Sequence, residues 1–145
     1  MQIDLRQPVT EQDFQLYYDL RWRILREPWT RARESGTDEH EQDALHIMAW
    51  RDGNLLVGVG RLHFNSPEEA QIRYMAVEMA YERNGIGSLI LRELETHARR
   101  CSAKRIVLNA REEAIPFYRT HNYQTVGQTN TLFDSIVHWR MAKEL

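Results

Sequence analysis

Cysteine is nearly absent from this 145-residue chain, and long apolar runs are absent altogether. The single cysteine, Cys101, excludes an internal disulfide framework and any metal site built from several cysteines. No apolar run exceeds five residues, so no segment is predicted to span a bilayer. The first six residues also lack the apolar run of a signal peptide. We therefore expect a cytoplasmic protein without membrane contact.

An excess of either charge is also missing. The chain has 19 Lys and Arg residues against 21 Asp and Glu residues, a formal charge of −2. This near balance argues against a nucleic-acid-binding protein that works through bulk positive charge. Hydrophobic residues make up 42% and charged residues 28%, as in a folded globular protein. The length suits one domain, residues 1–145, and the composition is compatible with a homodimer as well as a monomer.

The spacing of apolar residues predicts a mixed sheet flanked by helices. Strands are predicted at residues 1–6, 45–51, 55–64, 71–77, 106–108, 123–128 and 135–141. Helices are predicted after the N-cap Thr10, from Ile86 to Ala98, and around residues 113–120. The long middle helix joins two strands that should therefore be parallel. The predicted fold class is α/β (α+β), with a sheet of about six to seven strands, antiparallel first and parallel in the middle, and about four helices.

Three further expectations concern parts of the chain without a clear motif. Residues 29–43 have no apolar period and are predicted to form a mobile surface loop. Cys101 follows the apolar face of the long helix and is predicted to pack in the core. A group of arginines is predicted to form a solvated face, with attraction of an acidic substrate or a cofactor phosphate as the alternative. They are Arg21, Arg23, Arg26, Arg31 and Arg33.

The segment between the central strand and the long helix carries two glycines one residue apart. Without Cβ atoms, Gly85 and Gly87 let a ligand approach the backbone, and the helix that begins there favours an anion at its N-terminus. The alternative is a strand-to-helix turn without a ligand, and the spacing alone leaves both interpretations open. A dinucleotide fingerprint would need a third glycine where Ile90 stands, and a triphosphate loop would need a lysine after the glycines.

Two segments resemble the GNAT superfamily of N-acetyltransferases, and the resemblance covers nearly the whole chain. In the first, residues 82–87 read Glu-Arg-Asn-Gly-Ile-Gly and match the family pattern Arg/Gln-x-x-Gly-x-Gly/Ala except at Glu82. In the second, residues 114–123 are similar to the family segment Ala-x-x-Phe-Tyr-x-x-x-Gly-Phe, with Asn122 and Tyr123 in place of Gly-Phe. Asn tolerates the positive φ that glycine adopts there. Two matches in the right order are far more specific than either alone.

The resemblance implies the GNAT fold, acetyl-CoA as cosubstrate, no metal, and acetyl transfer to the primary amine of a small molecule or peptide. It implies that backbone groups of Met75 and Val77 pair with the pantetheine arm, and that amides from Arg83 to Ser88 hold the pyrophosphate. The cofactor-binding residues that it implies are Met75, Ala76, Val77, Arg83, Asn84, Gly85, Ile86, Gly87, Ser88, Asn109, Phe117 and Tyr118.

The resemblance also implies catalytic roles. Tyr118 matches the tyrosine that many family members use as the general acid, since a phenol with a pKa near ~10 stays protonated at neutral pH. The alternative for Tyr118 is packing of a helix on the sheet. Glu69, near the start of the central strand, is the expected general base because some relatives place a carboxylate there. His46, His63, Glu78 and water are the other candidates for the base.

Two other functions remain open at this point. The first is a non-catalytic protein on the same fold that binds acyl-CoA and regulates a partner. The second is an interaction module without a cofactor, which would leave the two glycines unexplained. The amine acceptor is not encoded in any motif of the sequence.

Overall fold

In the computed structural model, residues 1–25, 37–129 and 137–145 are described. These residues form seven strands: β1 (Ile3–Arg6), β2 (Leu45–Arg51), β3 (Leu55–Phe64), β4 (Glu69–Val77), β5 (Arg105–Arg111), β6 (Gln124–Gln128) and β7 (His138–Glu144). They also form three α-helices, where about four helices were predicted: α1 (Glu11–Leu25), α2 (Ile86–Arg100) and α3 (Ile115–Thr120). Short 3-10 turns at Met79–Tyr81 and Glu112–Ala114 precede α2 and α3.

The seven strands form one sheet in the order β1-β2-β3-β4-β5-β7-β6. Strands β1 to β4 are antiparallel neighbours, and β7 lies antiparallel between β5 and β6. The pair β4 and β5 is parallel, because α2 carries the chain from the end of β4 back to the start of β5. This confirms the predicted α+β sheet, antiparallel first and parallel in the middle.

Helices cover both faces of the sheet. Helix α1 begins at a cap in which the Asp13 amide donates to Thr10 Oγ1 at 3.0 Å, as the sequence predicted. It packs on β3 and β4 and buries a cluster with Tyr17 and Leu20 at its centre. Helix α2 packs on the opposite face, against β2, β3 and β4. Because alternate residues of each strand point to opposite faces, the sheet buries one set of side chains under each helix. The buried apolar residues of α2 belong to the main core and are Ile86, Ile90, Leu91, Leu94 and Ala98.

Two glycines in β3 allow α2 to lie close to the sheet. A Cβ atom on Gly60 would lie 2.6 Å from Ile90 Cγ2 and 2.9 Å from Met75 Sδ. A Cβ atom on Gly58 would lie 3.0 Å from Ile90 Cδ1. A side chain at Gly60 would therefore force α2 or its side chains to shift, whereas one at Gly58 would require smaller adjustments.

Strand β4 contains a β-bulge opposite Gly60. Between the pairs Val59–Ala76 and Arg61–Arg73, β3 advances by two residues while β4 advances by three. Tyr74 takes up the extra residue with a φ of 60°, a left-handed conformation that aromatic residues rarely adopt. The bulge turns the strand just before its end.

Three arginines surround the ring of Tyr74. The guanidinium of Arg21 lies 3.7 Å from the ring centroid, and those of Arg73 and Arg61 lie at 4.7 and 4.9 Å. A desolvated cation–π contact contributes roughly 2 kcal/mol. That is comparable to the roughly 1–3 kcal/mol that a residue in a sparsely populated backbone conformation costs. The arginines therefore help to hold the strained bulge.

Two expectations about packing are wrong. Arg21 is 1% exposed and pairs with Glu41, so it does not belong to a solvated face. The contact between its guanidinium and the Tyr74 ring explains why Arg21 is buried. Cys101 is exposed, because α2 ends at Arg100 and the chain turns away from the core. Its Sγ lies 3.7 Å from His97 Nε2.

Some expectations fall on residues that lie outside the described ranges. Among the predicted solvated arginines these are Arg26, Arg31 and Arg33. The first part of the predicted loop, residues 29–36, and the start of the last predicted strand, residues 135 and 136, are also outside. Residues 39–43 form turns that lead into β2.

Candidate active site

A cleft opens where β4 and β5 separate. The two strands are paired from Glu69–Arg105 to Ile72–Leu108, and beyond Ile72 the ladder stops although β4 continues to Val77. Strand β5 continues to Arg111 along β7. The gap between the strands widens into a cleft of about 720 Å³. Ligands of such sheets bind at the carboxyl ends of parallel strands, which is where this cleft lies.

The cleft brings together five of the residues predicted from the resemblance. Its β4 side is lined by Met75, Ala76 and Val77. Asn109 on β5 and Tyr118 on α3 line the other side. Asn109 Oδ1 accepts a hydrogen bond from Arg140 Nη1 at 3.3 Å, so its side chain amide is held from the neighbouring strand.

The loop before α2 contains the residues predicted to bind an anion. Arg83 and Gly85 have φ angles of 64° and 80°, and the Asn84 amide donates to the carbonyl of Tyr81 at 3.1 Å. The first amides of any helix have no intrahelical acceptor. In α2 the N-cap is Gly85, which has no side chain to accept a hydrogen bond from them. Glu82, the departure from the family pattern, lines the cleft directly before this loop.

The two glycines of the motif have different structural reasons. Gly85 needs its left-handed φ, and a Cβ atom there would meet nothing within 4 Å. Gly87 lies inside α2, where a Cβ atom would approach Phe117 Cζ at 3.3 Å. The contact with Gly87 places Phe117 against the first turn of α2. Ser88 in the same turn forms a hydrogen bond of 2.9 Å with His121 Nε2.

Tyr118 is a buried phenol at the wall of the cleft. Its ring packs edge-on against Phe117 and Tyr123, at centroid distances of 5.0 and 5.7 Å. Burial raises the pKa of the Tyr118 phenol well above its usual value. Its hydroxyl makes no hydrogen bond to any residue in the described part of the chain. The group is therefore a neutral proton donor with an unused hydrogen atom.

Glu69 lies at the opposite end of β4 from the cleft opening. Its carboxylate accepts hydrogen bonds from Asn65 Nδ2 and Arg105 Nε, both at 2.9 Å, and these lower the pKa of Glu69. It is not among the residues that line the cleft. The structure therefore does not bring Glu69 together with Tyr118.

The other candidates for the base are divided between the cleft and other sites. His63 lines the cleft, whereas His46 and Glu78 do not. His46 forms a hydrogen bond of 2.8 Å with the Tyr17 hydroxyl in the interior under α1. Glu78 accepts a hydrogen bond of 2.6 Å from Arg23.

The far end of the cleft contains residues that the sequence did not single out. Asp38 accepts hydrogen bonds of 2.6 Å from both Arg61 and Arg73. Burial opposes ionisation of Asp38, but the hydrogen bonds and the positive charges lower its pKa below the usual range. His40 lies next to Asp38 and also lines the cleft. Both residues belong to the aperiodic segment, where no pattern indicates which side chains turn inward.

Two classes of feature are not found in the described part of the chain. It gathers no group of three or more His, Cys, Asp or Glu residues that could hold a metal ion. None of its helices has the length and apolar content needed to cross a bilayer.

Comparison with known proteins gives a consistent result. Residues 14–123 match the model of a family described as "Acetyltransferase (GNAT) family". The chain is 31% identical over 111 residues to the uncharacterized N-acetyltransferase YjcF of Bacillus subtilis (strain 168), which covers 77% of this chain and 78% of that protein.

Solved structures share the fold at low sequence identity. An acetyltransferase of the GNAT family from Staphylococcus aureus Mu50 superimposes with a TM-score of 0.82 and 13% identity, over 99% of each chain. A GNAT family acetyltransferase from Elizabethkingia anophelis with acetyl-CoA bound superimposes with a TM-score of 0.79 and 15% identity, over 99% of this chain and 98% of the other.

Proposed function

This chain belongs to the GNAT acetyltransferase family, and on that premise we propose that it transfers acetyl from acetyl-CoA to a primary amine within a ternary complex. The observation that carries the proposal is the cleft between β4 and β5, which a helix N-terminus borders at one end and a buried phenol lines. The amine is that of a small molecule or a peptide.

The chain's own groups suit the cosubstrate. Past Ile72, β4 has no ladder partner in β5, so the backbone of Met75, Ala76 and Val77 can pair with the amides of an extended pantetheine arm. The amides from Arg83 to Ser88 suit a pyrophosphate, because they combine unpaired N–H groups with the positive end of the α2 dipole. Asn109 and Phe117 border the thioester end in this proposal.

Tyr118 acts as the general acid. Acetyl-CoA supplies an acetyl thioester whose carbonyl carbon a neutral amine can attack, forming a C–N bond and breaking the C–S bond. The Tyr118 hydroxyl then donates its proton to the departing sulfur. Its raised pKa keeps the phenol protonated until the thiolate appears, and its lack of a described hydrogen-bond partner leaves that proton free to move.

Glu69 is the general base expected from the resemblance. Its ion pair with Arg105 and its position outside the cleft favour a different proton acceptor for the amine. The exposed Glu39 at the far end of the cleft suits an acceptor that arrives as a cation, whereas the charge of Asp38 is already balanced by Arg61 and Arg73.

The experiment combines calorimetry of CoA binding with thiol release across a panel of primary amines. The wild-type chain is expected to bind CoA and to release thiol with at least one amine. Gly85→Val should abolish CoA binding, because a β-branched residue cannot hold a φ of 80° without strain. Gly85→Asn is the matched control, since Asn tolerates that conformation, and it should retain binding.

Unchanged CoA affinity in a folded Gly85→Val variant would contradict the proposed phosphate site. CoA binding without thiol release for any amine would instead favour a non-catalytic protein that binds acyl-CoA.

A further inference from the structure

We propose that His40 accepts the proton of the amine substrate and that His63 is the positioning residue that holds it. The two imidazole rings are stacked, with centroids 4.0 Å apart and planes inclined by 9°. Both residues line the same cleft as Tyr118. The inference rests on the proposed acetyl transfer and names the group that this reaction still needs at the acceptor end.

His63 cannot itself serve as the proton acceptor. Its Nδ1 lies 2.9 Å from Arg61 Nη2, and a guanidinium can only donate, so Nδ1 accepts this hydrogen bond. The proton of the ring is then on Nε2, which donates to Asn65 Oδ1 at 3.1 Å. Burial and the charge of Arg61 lower the pKa of His63. His63 is therefore neutral, both of its ring nitrogens are hydrogen-bonded, and its ring supports that of His40.

A chain of hydrogen bonds through Asn65 also holds the His63 ring in place. Asn65 Nδ2 donates to Glu69 Oε2 at 2.9 Å and to Gln71 Oε1 at 3.0 Å. These bonds orient the Asn65 amide so that its oxygen faces His63. Glu69, the expected base, is thus connected to the cleft through Asn65 and His63 and acts as a support.

His40 has the features of a proton acceptor that His63 lacks. Its side chain is 30% exposed, and its nearest carboxylate oxygens, on Glu39 and Asp43, lie 3.6 and 3.8 Å from the ring nitrogens. These distances are too long for hydrogen bonds, so neither ring nitrogen of His40 is held by a carboxylate. The ring nitrogens of His40 can therefore take up a proton.

Arg61 holds both partners of the stack. It is fully buried, and Nη1 and Nη2 donate to the two oxygens of Asp38 at 2.6 and 3.0 Å. Asp38 Oδ1 in turn accepts the backbone amide of His40 at 2.9 Å. One guanidinium thus fixes the backbone of His40 through Asp38 and the ring of His63 directly.

The protons balance when His40 is the proton acceptor and Tyr118 the proton donor. The substrate ammonium gives one proton to His40, and the neutral amine nitrogen forms the C–N bond as the C–S bond breaks. Tyr118 protonates the thiolate and recovers a proton from the new amide nitrogen. His40 releases its proton to water, so the reaction yields the acetamide, CoA thiol and one proton.

Charged and titratable groups face His40 from three elements. Its own turn contributes Asp38, Glu39 and Asp43, β3 contributes Arg61 and His63, and β4 contributes Arg73. Asp38 is already paired with two arginines, so Glu39 and Asp43 are the carboxylates left to balance an imidazolium. A second cation on His63 would repel it, which the neutral state of His63 avoids.

The test compares His40→Gln with His97→Gln, a matched control on the far end of α2. We expect His40→Gln to lower kcat/KM for the amine by about 10²-fold or more near neutral pH, with CoA affinity unchanged. It should also lose the acidic limb of the pH–rate profile for the amine. His97→Gln should retain both the rate and the limb.

Chemical rescue separates a proton acceptor from a structural residue. Added imidazole should raise the rate of His40→Ala but not that of the wild type or His97→Ala. For the positioning role, His63→Phe keeps a flat ring under His40, whereas His63→Leu does not, and His63→Leu should lose more kcat at similar CoA affinity.

A wild-type rate and pH profile in His40→Gln would overturn the assignment, as would a slow His40→Ala variant that imidazole does not rescue. If the wild type releases no thiol with any amine, the proposed acetyl transfer fails, and the role of His40 fails with it. If the wild type transfers acetyl and substitution of His40 has no effect, only the proposed role of His40 is excluded.

Discussion

The hydroxyl of Tyr118 has a role in the proposed reaction and no hydrogen bond to any described residue. Tyr118→Phe should therefore leave the melting temperature and the CoA affinity nearly unchanged, because the ring and its packing remain. The chemical step should slow on the order of 10²–10⁴-fold, since the proton donor to the thiolate is lost. Single-turnover thiol release with saturating amine measures this step apart from product release.

Tyr123→Phe is the matched control for this prediction. Tyr123 is also buried, but its hydroxyl donates to Glu95 Oε2 at 2.8 Å, away from the cleft. Its removal should lower the free energy of unfolding by about 1–3 kcal/mol, because a buried acceptor loses a partner. The chemical step should not change. A Tyr118→Phe variant with a wild-type single-turnover rate would remove Tyr118 from the mechanism.

Several individual residues show how far the sequence predicts the site. The resemblance implies Tyr118 and Asn109 as site residues, and both line the cleft from regular elements, α3 and β5. His40 is not implied, because it reaches His63 from a segment without periodicity. Arg21 is also missed, since an arginine in an amphipathic helix gives no sign that an aromatic ring in a bulged strand will stack on it.

Among the elements, the pair β3 and α2 depends on a close approach at Gly60. Gly60→Ala should lower the free energy of unfolding by about 1–3 kcal/mol, because its Cβ would overlap Ile90 and Met75 in the core. Gly127→Ala in β6 is the control, since a Cβ there meets nothing within 4 Å, and it should change stability by less than about 0.5 kcal/mol. Denaturant unfolding of both variants measures the difference. Equal stability of the two would show that α2 adjusts freely over β3.

The elements themselves are well predicted where local chemistry decides them. The bounds of β2 and β3 agree with the prediction, and the turn between them has the positive φ angles at Asp52 and Gly53 that its sequence demands. The bulge at Tyr74 could not be predicted, because tyrosine carries no preference for a left-handed backbone. Long-range contacts with Arg21 and Arg61, together with the neighbouring Arg73, support that conformation where local propensity does not.

At the scale of the whole molecule, buried and half-buried imidazoles make stability depend on pH. Burial is the main cause that lowers the pKa values of His46, His63 and His121. As pH falls through the ordinary imidazole value of 6.5, the unfolded chain binds protons that the folded chain refuses. The free energy of unfolding should therefore be largest above that pH and decrease below it.

A second loss of stability should follow at lower pH. Asp13 has a lowered pKa because Arg6 donates hydrogen bonds to it, and Asp38 has one despite its burial. Their stabilising contribution is present above the ordinary carboxyl value of 3.8 and disappears as pH falls further. Urea unfolding between about pH 8 and pH 3 measures both stages. A constant free energy of unfolding from about pH 7 to pH 5 would contradict the role of the histidines.

The separation of β4 from β5 leaves the molecule with an unfinished sheet. The sheet has two antiparallel halves, one of β1 to β4 and one of β5, β7 and β6. A parallel ladder of only four residue pairs joins them, and the ion pair between Glu69 and Arg105 lies at its first pair. A ligand whose amides pair with the free edge of β4 supplies the missing rungs between the halves. In the proposed complex, the bound cosubstrate therefore stiffens the connection between the two halves of the sheet.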